Sequence, residues 1–260
     1  MDQVIIERTG PVATLWLNRP ELHNAFDDRL IGETTEALDA LARDPAARVV
    51  LLAGKGKSFS AGADLAWMRR MAGYSEAENE ADAGALAGLL HRLDSLPKPT
   101  VALVQGAAIG GGVGLVAACD MAIAAEGAEF ALSEVRLGLI PAVISPYVVA
   151  AIGPRAARRY ALTAERFDAA RAAALGLVDK VVPADSLLAE GAALAAVLAR
   201  NGPEAMADAK ALIAHVAGRP IDAGLRAETA RRIARRRASA EGREGVAAFL
   251  EKRKPGWQAE

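Results

Sequence analysis

Short β-branched and aliphatic runs alternate with helical periodicity through the first two thirds of the chain. The runs predict strands at these positions: Val12–Leu17, 49–53, Thr100–Val104, 121–124 and 178–182. Apolar residues at helical spacing predict helices over 27–42 and 76–96. Strands that alternate with helices indicate an α/β fold with mostly parallel pairing. Runs without polar alternation, such as 49–53, indicate strands that are buried on both faces.

From about residue 185 the periodicity is helical only. It predicts four helices, which cover 186–200, 203–217, 222–237 and 240–252. The last of them ends before Pro255 and Gly256. We therefore predict an α/β core over residues 1–190 and a helical C-terminal region over residues 191–260.

Composition excludes several classes of protein. The 260 residues carry 31 basic and 32 acidic side chains, a balance that argues against nucleic-acid binding. Cys119 is the single cysteine and the three histidines are far apart in sequence, so we expect no disulfide framework and no metal site. Because the start has no long apolar run and the sequence has no apolar stretch of about 18 residues, we expect neither a signal peptide nor a membrane span. We expect a cytoplasmic protein that does not associate with membranes.

Two glycine-containing turns stand out as candidate ligand sites. One covers 59–65 (FSAGADL) after the strand 49–53, and the other covers 106–114 (GAAIGGGVG) after the strand Thr100–Val104. Each is predicted as a strand-to-helix transition, where free backbone N–H groups and the helix dipole favour negative charge. The second turn lacks the acidic residue of a dinucleotide site, and neither turn has the Gly-Lys-Ser/Thr of a phosphate loop. Close packing of helix on strand is the structural alternative.

Further motifs give the two turns a specific context. They are 17–20 (LNRP), 23–25 (HNA), 119–120 (CD), 132–141 (LSEVRLGLIP) and 248–253 (AFLEKR). In their order and spacing they resemble the crotonase (enoyl-CoA hydratase/isomerase) superfamily over nearly the whole chain. The resemblance implies a crotonase-type spiral of ββα units and a C-terminal helical region that forms trimers. It also implies assembly as a homotrimer or as a hexamer of two trimers, and no cofactor besides the coenzyme A of the substrate.

The resemblance also assigns roles to residues. The backbone N–H groups of Ala63 and Gly111 are the expected oxyanion hole for an acyl-CoA thioester, and Glu134 is the expected catalytic acid that protonates Cα. The expected substrate-binding residues are Ala25, Ala61, Asp64, Leu65, Gly110, Gly114, Arg136, Phe249 and Lys252. Phe249 and Lys252 would reach CoA from a neighbouring subunit. Capping of a helix by Asp64 and an ion pair of Arg136 are the structural alternatives for those two residues.

The resemblance implies two glutamates in well-known hydratases, and Glu134 matches the second of them. At the position of the first glutamate this sequence has Gly114. We hypothesise that this glycine leaves space for a branched substrate. Residues 142–147 (AVISPY) also replace a glycine-rich turn. Both features, together with 59–68, 155–168 and 254–258, resemble bacterial methylglutaconyl-CoA hydratases, a subgroup of the superfamily.

The function that this implies is hydration of a branched enoyl-CoA, 3-methylglutaconyl-CoA in leucine and isovalerate catabolism. The alternatives are a Δ3-Δ2 enoyl-CoA isomerase that uses Glu134 alone and a non-catalytic thioester-binding protein.

Overall fold

Nine strands provide the frame of the molecule, whose computed structural model describes residues 2–258. In chain order they are β1 (Val4–Thr9), β2 (Val12–Leu17), β3 (Val49–Gly54), β4 (Thr100–Val104), β5 (Ala107–Ile109), β6 (Met121–Ala125), β7 (Glu129–Ala131), β8 (Phe167–Asp168) and β9 (Lys180–Val182). The main sheet has the order β1-β2-β3-β4-β6-β9 and is parallel except for the β1–β2 pair. A second sheet has the order β5-β7-β8.

Ten helices connect and cover these strands. They are α1 (Asp28–Arg43), α2 (Leu65–Met71), α3 (Glu76–Asp94), α4 (Gly111–Ala118), α5 (Ser145–Thr163), α6 (Ala169–Leu175), α7 (Leu187–Ala199), α8 (Pro203–Val216), α9 (Ala223–Ala238) and α10 (Ala240–Leu250), counted within residues 2–258. The helix α5 bends at Gly153, where a φ of +74° leaves the helical region just before Pro154.

The main sheet is buried on both faces, as its unbroken apolar strands predict. Alternate residues of one strand point to opposite faces. Val50 and Leu52 of β3 therefore join a core with α1 and α3–α6, whereas Val49 and Leu51 join a second core under α7. Burial on both faces fixes the register of the parallel strands, and with it the positions of the loops at their ends.

The predicted α/β arrangement followed by helices is confirmed, and the bounds of most predicted elements differ by one or two residues. The boundary predicted at residue 190 falls inside α7. Because α7 packs on the main sheet against β3, β4 and β6, the structure places the change to the helical extension after Ala199. The sequence analysis missed β1 and the whole second sheet.

The C-terminal helices α8–α10 pack mainly on one another. Lys210 of α8 connects them to the core through an ion pair of 2.9 Å with Asp120, which follows α4. Several large apolar side chains remain exposed there: Ile213, Ile233, Val246, Phe249 and Leu250. Within the described chain, no helix has the length and apolar character that a bilayer crossing requires.

Candidate active site

The first glycine turn presents a free backbone donor at Ala63. The segments that contain Phe26 and Ala63 form a parallel bridge, in which Phe26 N–H donates to Gly62 and Asp64 N–H donates to Phe26, both at 2.7 Å. In a parallel bridge the peptide groups of the opposing residue point the other way. The N–H group of Ala63 accordingly has no acceptor among residues 2–258, and the residue is exposed.

The second turn presents an equivalent donor at Gly111. Gly110 turns the chain from β5 into α4 with a φ of +52°, a conformation that favours glycine. The backbone ladder of α4 begins with the N–H of Gly114, which donates to Gly110 at 3.2 Å. The N–H of Gly111 lies in the first turn and has no acceptor in the described chain, as is usual for the start of a helix. The dipole of α4 adds positive potential at this end.

The structure brings the two turns together. Ser60 N–H donates to Ala107 at 3.0 Å, and Ile109 N–H donates to Ser60 at 2.9 Å. A methyl group at Gly112 would lie 2.6 Å from the carbonyl oxygen of Ser60, so only glycine allows this approach. The prediction that the second turn is a direct strand-to-helix transition is therefore wrong. The strand β5 lies between β4 and α4, and it holds the first turn beside the second.

Glu134 lies against the start of α4. It begins a short 3-10 turn (Glu134–Leu137) after β7, and its Oε1 would be 2.9 Å from a methyl group placed at Gly110. Its Oε2 is buried without a hydrogen-bond partner in the described chain. Burial raises the pKa of this carboxyl above the ordinary glutamate value. A carboxyl that is destabilised as an anion and has an unpaired oxygen is suited to take up and release a proton.

The space beside Gly114 is not empty, which corrects the hypothesis that this glycine leaves room for a branched substrate. A methyl group at Gly114 would lie 2.3 Å from Cγ2 of Ile144 and 3.6 Å from Cδ1 of Leu90. Ile144 is only 2% exposed. The isoleucine thus fills the volume that a side chain at position 114 would need, and no glutamate fits there in this arrangement.

Arg19 is a site residue whose contacts the sequence analysis missed. Its buried guanidinium forms ion pairs with Asp27 at 3.0 Å and Asp64 at 3.1 Å, and it donates to the carbonyl of Ala25 at 2.6 Å. Arg19 therefore fixes the 25–27 segment against the turn that carries Ala63. The signal in the sequence was the motif 17–20, but nothing in the motif indicated these partners.

Asp64 has the structural role that was the alternative to substrate binding. Its carboxylate caps α2 by accepting from the N–H groups of Ala66 at 2.7 Å and Trp67 at 3.1 Å, besides its pair with Arg19. Burial alone would raise the pKa of Asp64, but the two backbone donors and the arginine outweigh it, so the pKa lies below the ordinary value. Its acceptors are used within the chain.

The remaining predicted substrate-binding residues lie in three regions. Ala25, Ala61 and Leu65 are in or beside the first turn, where Ala61 N–H donates to the carbonyl of His23 at 2.9 Å. Arg136 forms no ion pair in the described chain, and instead donates to the carbonyl of Ala164 at 2.7 Å. Phe249 is 82% exposed on α10, which packs mainly on α8 and α9, and Lys252 follows it. Contact of this pair with CoA stays a prediction.

Chemically, the site combines two free N–H donors and one buried carboxyl. The donors can stabilise a negatively charged oxygen, and the carboxyl can move a proton close to it. Within residues 2–258, no group of three or more histidine, cysteine, aspartate or glutamate side chains is arranged to hold a metal ion.

Comparison with known proteins shows which family this chain resembles. The family model described as enoyl-CoA hydratase/isomerase matches residues 7–260. The crystal structure of an enoyl-CoA hydratase from Shewanella pealeana is 48% identical, with a TM-score of 0.96 over 98% of this chain and 96% of that one. This likeness confirms the predicted crotonase-type fold.

Two relatives carry names with a specific substrate. Crotonyl-CoA hydratase of Syntrophomonas wolfei is 35% identical over 97% of this chain and 96% of its own length. 2,3-Dehydroadipyl-CoA hydratase of Escherichia coli is 35% identical over 98% of each chain. With the family model matched and these relatives covered almost from end to end, the chain belongs to the enoyl-CoA hydratase/isomerase family, which is the crotonase superfamily predicted from its motifs.

Proposed function

We propose that this protein is an enoyl-CoA hydratase, which adds water across the α,β double bond of an acyl-CoA thioester. One observation carries the proposal: the buried carboxyl of Glu134, with its unpartnered Oε2, lies against the start of the helix that offers the free N–H of Gly111. The names of the crotonyl-CoA and 2,3-dehydroadipyl-CoA hydratases support the same reaction type.

The two backbone donors act on the thioester carbonyl. In the proposed complex the N–H groups of Ala63 and Gly111 both donate to the carbonyl oxygen. Attack of water on Cβ moves the electrons of the double bond toward that oxygen, which gives an enolate. Donors that are already oriented toward the developing charge contribute about 3–4 kcal/mol each to transition-state stabilisation.

Glu134 accounts for the proton. Its carboxylate accepts the proton of water as the oxygen bonds to Cβ, and it then donates that proton to Cα as the enolate collapses. The hydroxyl and the hydrogen of one water molecule thus end on the substrate, and the carboxylate is regenerated. The proposed steps use this chain, water and the substrate alone. A raised pKa suits both halves of the cycle, because the carboxylate is a better base and its acid still donates.

For the substrate we propose a branched enoyl-CoA with a distal carboxylate, namely 3-methylglutaconyl-CoA of leucine and isovalerate catabolism. The lack of an acid at position 114 supports this, since the carboxylate of the substrate would add the missing negative charge beside the water. The name of the 2,3-dehydroadipyl-CoA hydratase indicates that a relative acts on a thioester of a dicarboxylic acid. Three arginines follow the site motifs: Arg69 and Arg70 in α2, and Arg136 after Glu134. Arg70 pairs with Asp28 and Arg136 donates to the carbonyl of Ala164, so Arg69 is the candidate cation for that carboxylate.

Isomerisation of a Δ3 to a Δ2 double bond is the second candidate, and the occupied space beside Gly114 favours it specifically. Ile144 excludes a second carboxylate from that position, and moving one proton between two carbon atoms of an acyl chain needs one base.

A turnover panel separates these functions. The panel contains 3-methylglutaconyl-, crotonyl-, 3-enoyl- and isohexenylglutaconyl-CoA. The products are identified by mass, because hydration adds the mass of one water molecule and isomerisation leaves the mass unchanged. We expect hydration with the highest kcat/KM on 3-methylglutaconyl-CoA. Conversion of the 3-enoyl thioester without added water as the fastest reaction would favour the isomerase, and binding without turnover would favour the non-catalytic alternative.

We also propose assembly into trimers or hexamers in which Phe249 and Lys252 contact the CoA of a neighbouring subunit. The exposed apolar side chains of α8–α10 support this proposal, since such residues are typical of interfaces. Light scattering of the purified protein tests it, and Phe249→Glu should weaken both assembly and CoA binding. A monomer with full activity would contradict it.

A further inference from the structure

A separate apolar cavity lies next to the candidate active site. It has a volume of about 260 Å³ and is lined mainly by aliphatic residues, among them Leu132, Pro141, Ile144 and Val148. Leu132 precedes Glu134 by two residues, so the cavity and the catalytic carboxyl share one chain segment. Nothing in the proposed hydration uses this cavity.

Ile144 connects this cavity with α4, the helix whose start offers the N–H of Gly111. Gly110 is the N-cap residue of α4, and its carbonyl accepts from the N–H of Gly114 at 3.2 Å, so the two glycines are one turn apart. Glu134 Oε1 lies on Gly110, and Cγ2 of Ile144 lies on Gly114. The isoleucine side chain therefore contacts α4 one turn beyond the glycine that meets the carboxyl, and the same residue lines the cavity.

Local structure keeps Ile144 in this place. It is the N-cap residue of α5, and the bulk of Pro146 in the first turn limits the backbone there. Its backbone carbonyl accepts from the N–H of Val148 at 3.1 Å, and its side chain is almost completely buried. Ile144 is consequently a fixed residue that contacts both the cavity and α4.

We propose that Ile144 is a specificity-determining residue, whose side chain closes the acyl site and limits the size of the branch that a substrate carries at Cβ. With a smaller residue in place of Ile144, the site would accept acyl-CoA thioesters with a bulky apolar branch that extends into the cavity. The inference rests on the proposed function for its catalytic readout, but its binding readout is independent of turnover.

Two glutaconyl-CoA thioesters test this, because they differ only in the branch at Cβ, which is methyl in one and isohexenyl in the other. Ile144→Ala should raise the ratio of kcat/KM for the isohexenyl over the methyl substrate by at least about ten-fold, since single methylene groups change specificity about 10–200-fold in apolar pockets. Ile144→Val should change it in the same direction by less. This variant removes only one methyl group, and it replaces the alanine variant in the test if the alanine variant does not fold.

Val148→Ala is the matched control. Val148 is as buried as Ile144 and lines the same cavity, but it is not among the nearest neighbours of Gly114. This variant enlarges the cavity and keeps Ile144, so the ratio should stay within about three-fold of the wild type. An unchanged ratio in both Ile144 variants, or an equal change in Val148→Ala, would overturn the proposal.

The dissociation constants of the corresponding saturated thioesters provide the second readout, because these ligands cannot be hydrated. If the wild type hydrates neither substrate while Ile144→Ala still shifts the binding ratio toward the bulky branch, the proposed hydration fails and the role of Ile144 stands. If hydration is normal and neither ratio moves, the role of Ile144 fails and the proposed function stands.

Discussion

Gly110 and Gly114 lie one turn apart at the start of α4, and they meet opposite kinds of neighbour. Gly110 adjoins the buried carboxyl of Glu134, whereas Gly114 adjoins the aliphatic side chain of Ile144. Both glycines are closely packed, so neither marks an empty space. The start of α4 thus meets a carboxyl at one glycine and an apolar side chain at the next turn, and the proposed proton transfer belongs to the first of them.

The difference restricts the chemistry. A two-carboxylate hydration would divide the proton steps between both sides, but here Ile144 excludes an acid at position 114. In the proposed hydration both proton steps therefore fall to Glu134, or to Glu134 with a carboxylate of the proposed substrate. The backbone donors of Ala63 and Gly111 are independent of this asymmetry.

Removal of the acid from the Gly110 side should have the largest effect. Glu134→Gln keeps the size of the side chain but cannot exchange the proton, so kcat should fall by about 10²–10⁴-fold. Thioester binding, measured by calorimetry with a saturated acyl-CoA, should change little. Turnover close to that of the wild type would show that another group moves the proton.

Displacing the backbone donor of Gly111 should have the second-largest effect on activity. A methyl group at Gly111 would already lie 3.1 Å from the ring of Phe26, so the larger valine forces the ring or the turn to shift and displaces the N–H donor. We expect Gly111→Val to lower kcat by about 10²–10³-fold, the usual loss for one oxyanion donor.

Gly84→Val is the control for this exchange, because Gly84 is exposed on α3 and a methyl group there meets nothing within 4 Å. Its activity should stay normal. A Gly111→Val enzyme as active as this control would contradict the placement of the oxyanion hole.

On the Gly114 side we expect an effect on stability. Gly114→Ala places a methyl group 2.3 Å from Ile144, and overpacking of this kind costs about 1–3 kcal/mol in the free energy of unfolding. In an Ile144→Ala background, Gly114→Ala should lower the free energy of unfolding by less. Denaturant unfolding of the double-mutant cycle should give a coupling energy of about 0.5–3 kcal/mol between the two positions. Strictly additive changes would mean that the two side chains are not in contact.

Long elements of this fold could be predicted from the sequence, but short ones could not. The strands β3 and β4 are continuous apolar runs, and α1 has a clear helical stripe. The strands β5, β7 and β8 have only two or three residues, too few for any periodicity. They form because distant parts of the chain supply their partners: β5 pairs with Ser60 and with β7, and β7 pairs with β8.

The site could be predicted in part for the same reason. Glycines and the motif around Glu134 identified the groups that contact the thioester in the proposed complex. Interactions between distant segments left no local signal, as with Arg19 and its two aspartates or Ile144 in the space beside Gly114. Gly114 predicted a missing acid, but only the three-dimensional structure identifies the side chain that takes its place.

The pH dependence of kcat/KM, measured for the wild type and Glu134→Gln, tests the central claim that Glu134 is the single acid–base group. Crotonyl-CoA is the suitable substrate, because its acyl group does not ionise and the CoA phosphates titrate alike for both enzymes. The carboxylate must be ionised to accept a proton, and burial raises its pKa. Wild-type activity should therefore fall as the pH decreases, beginning above the range of an ordinary glutamate, and Glu134→Gln should lose this dependence. An acidic limb that persists unchanged in Glu134→Gln would contradict the account.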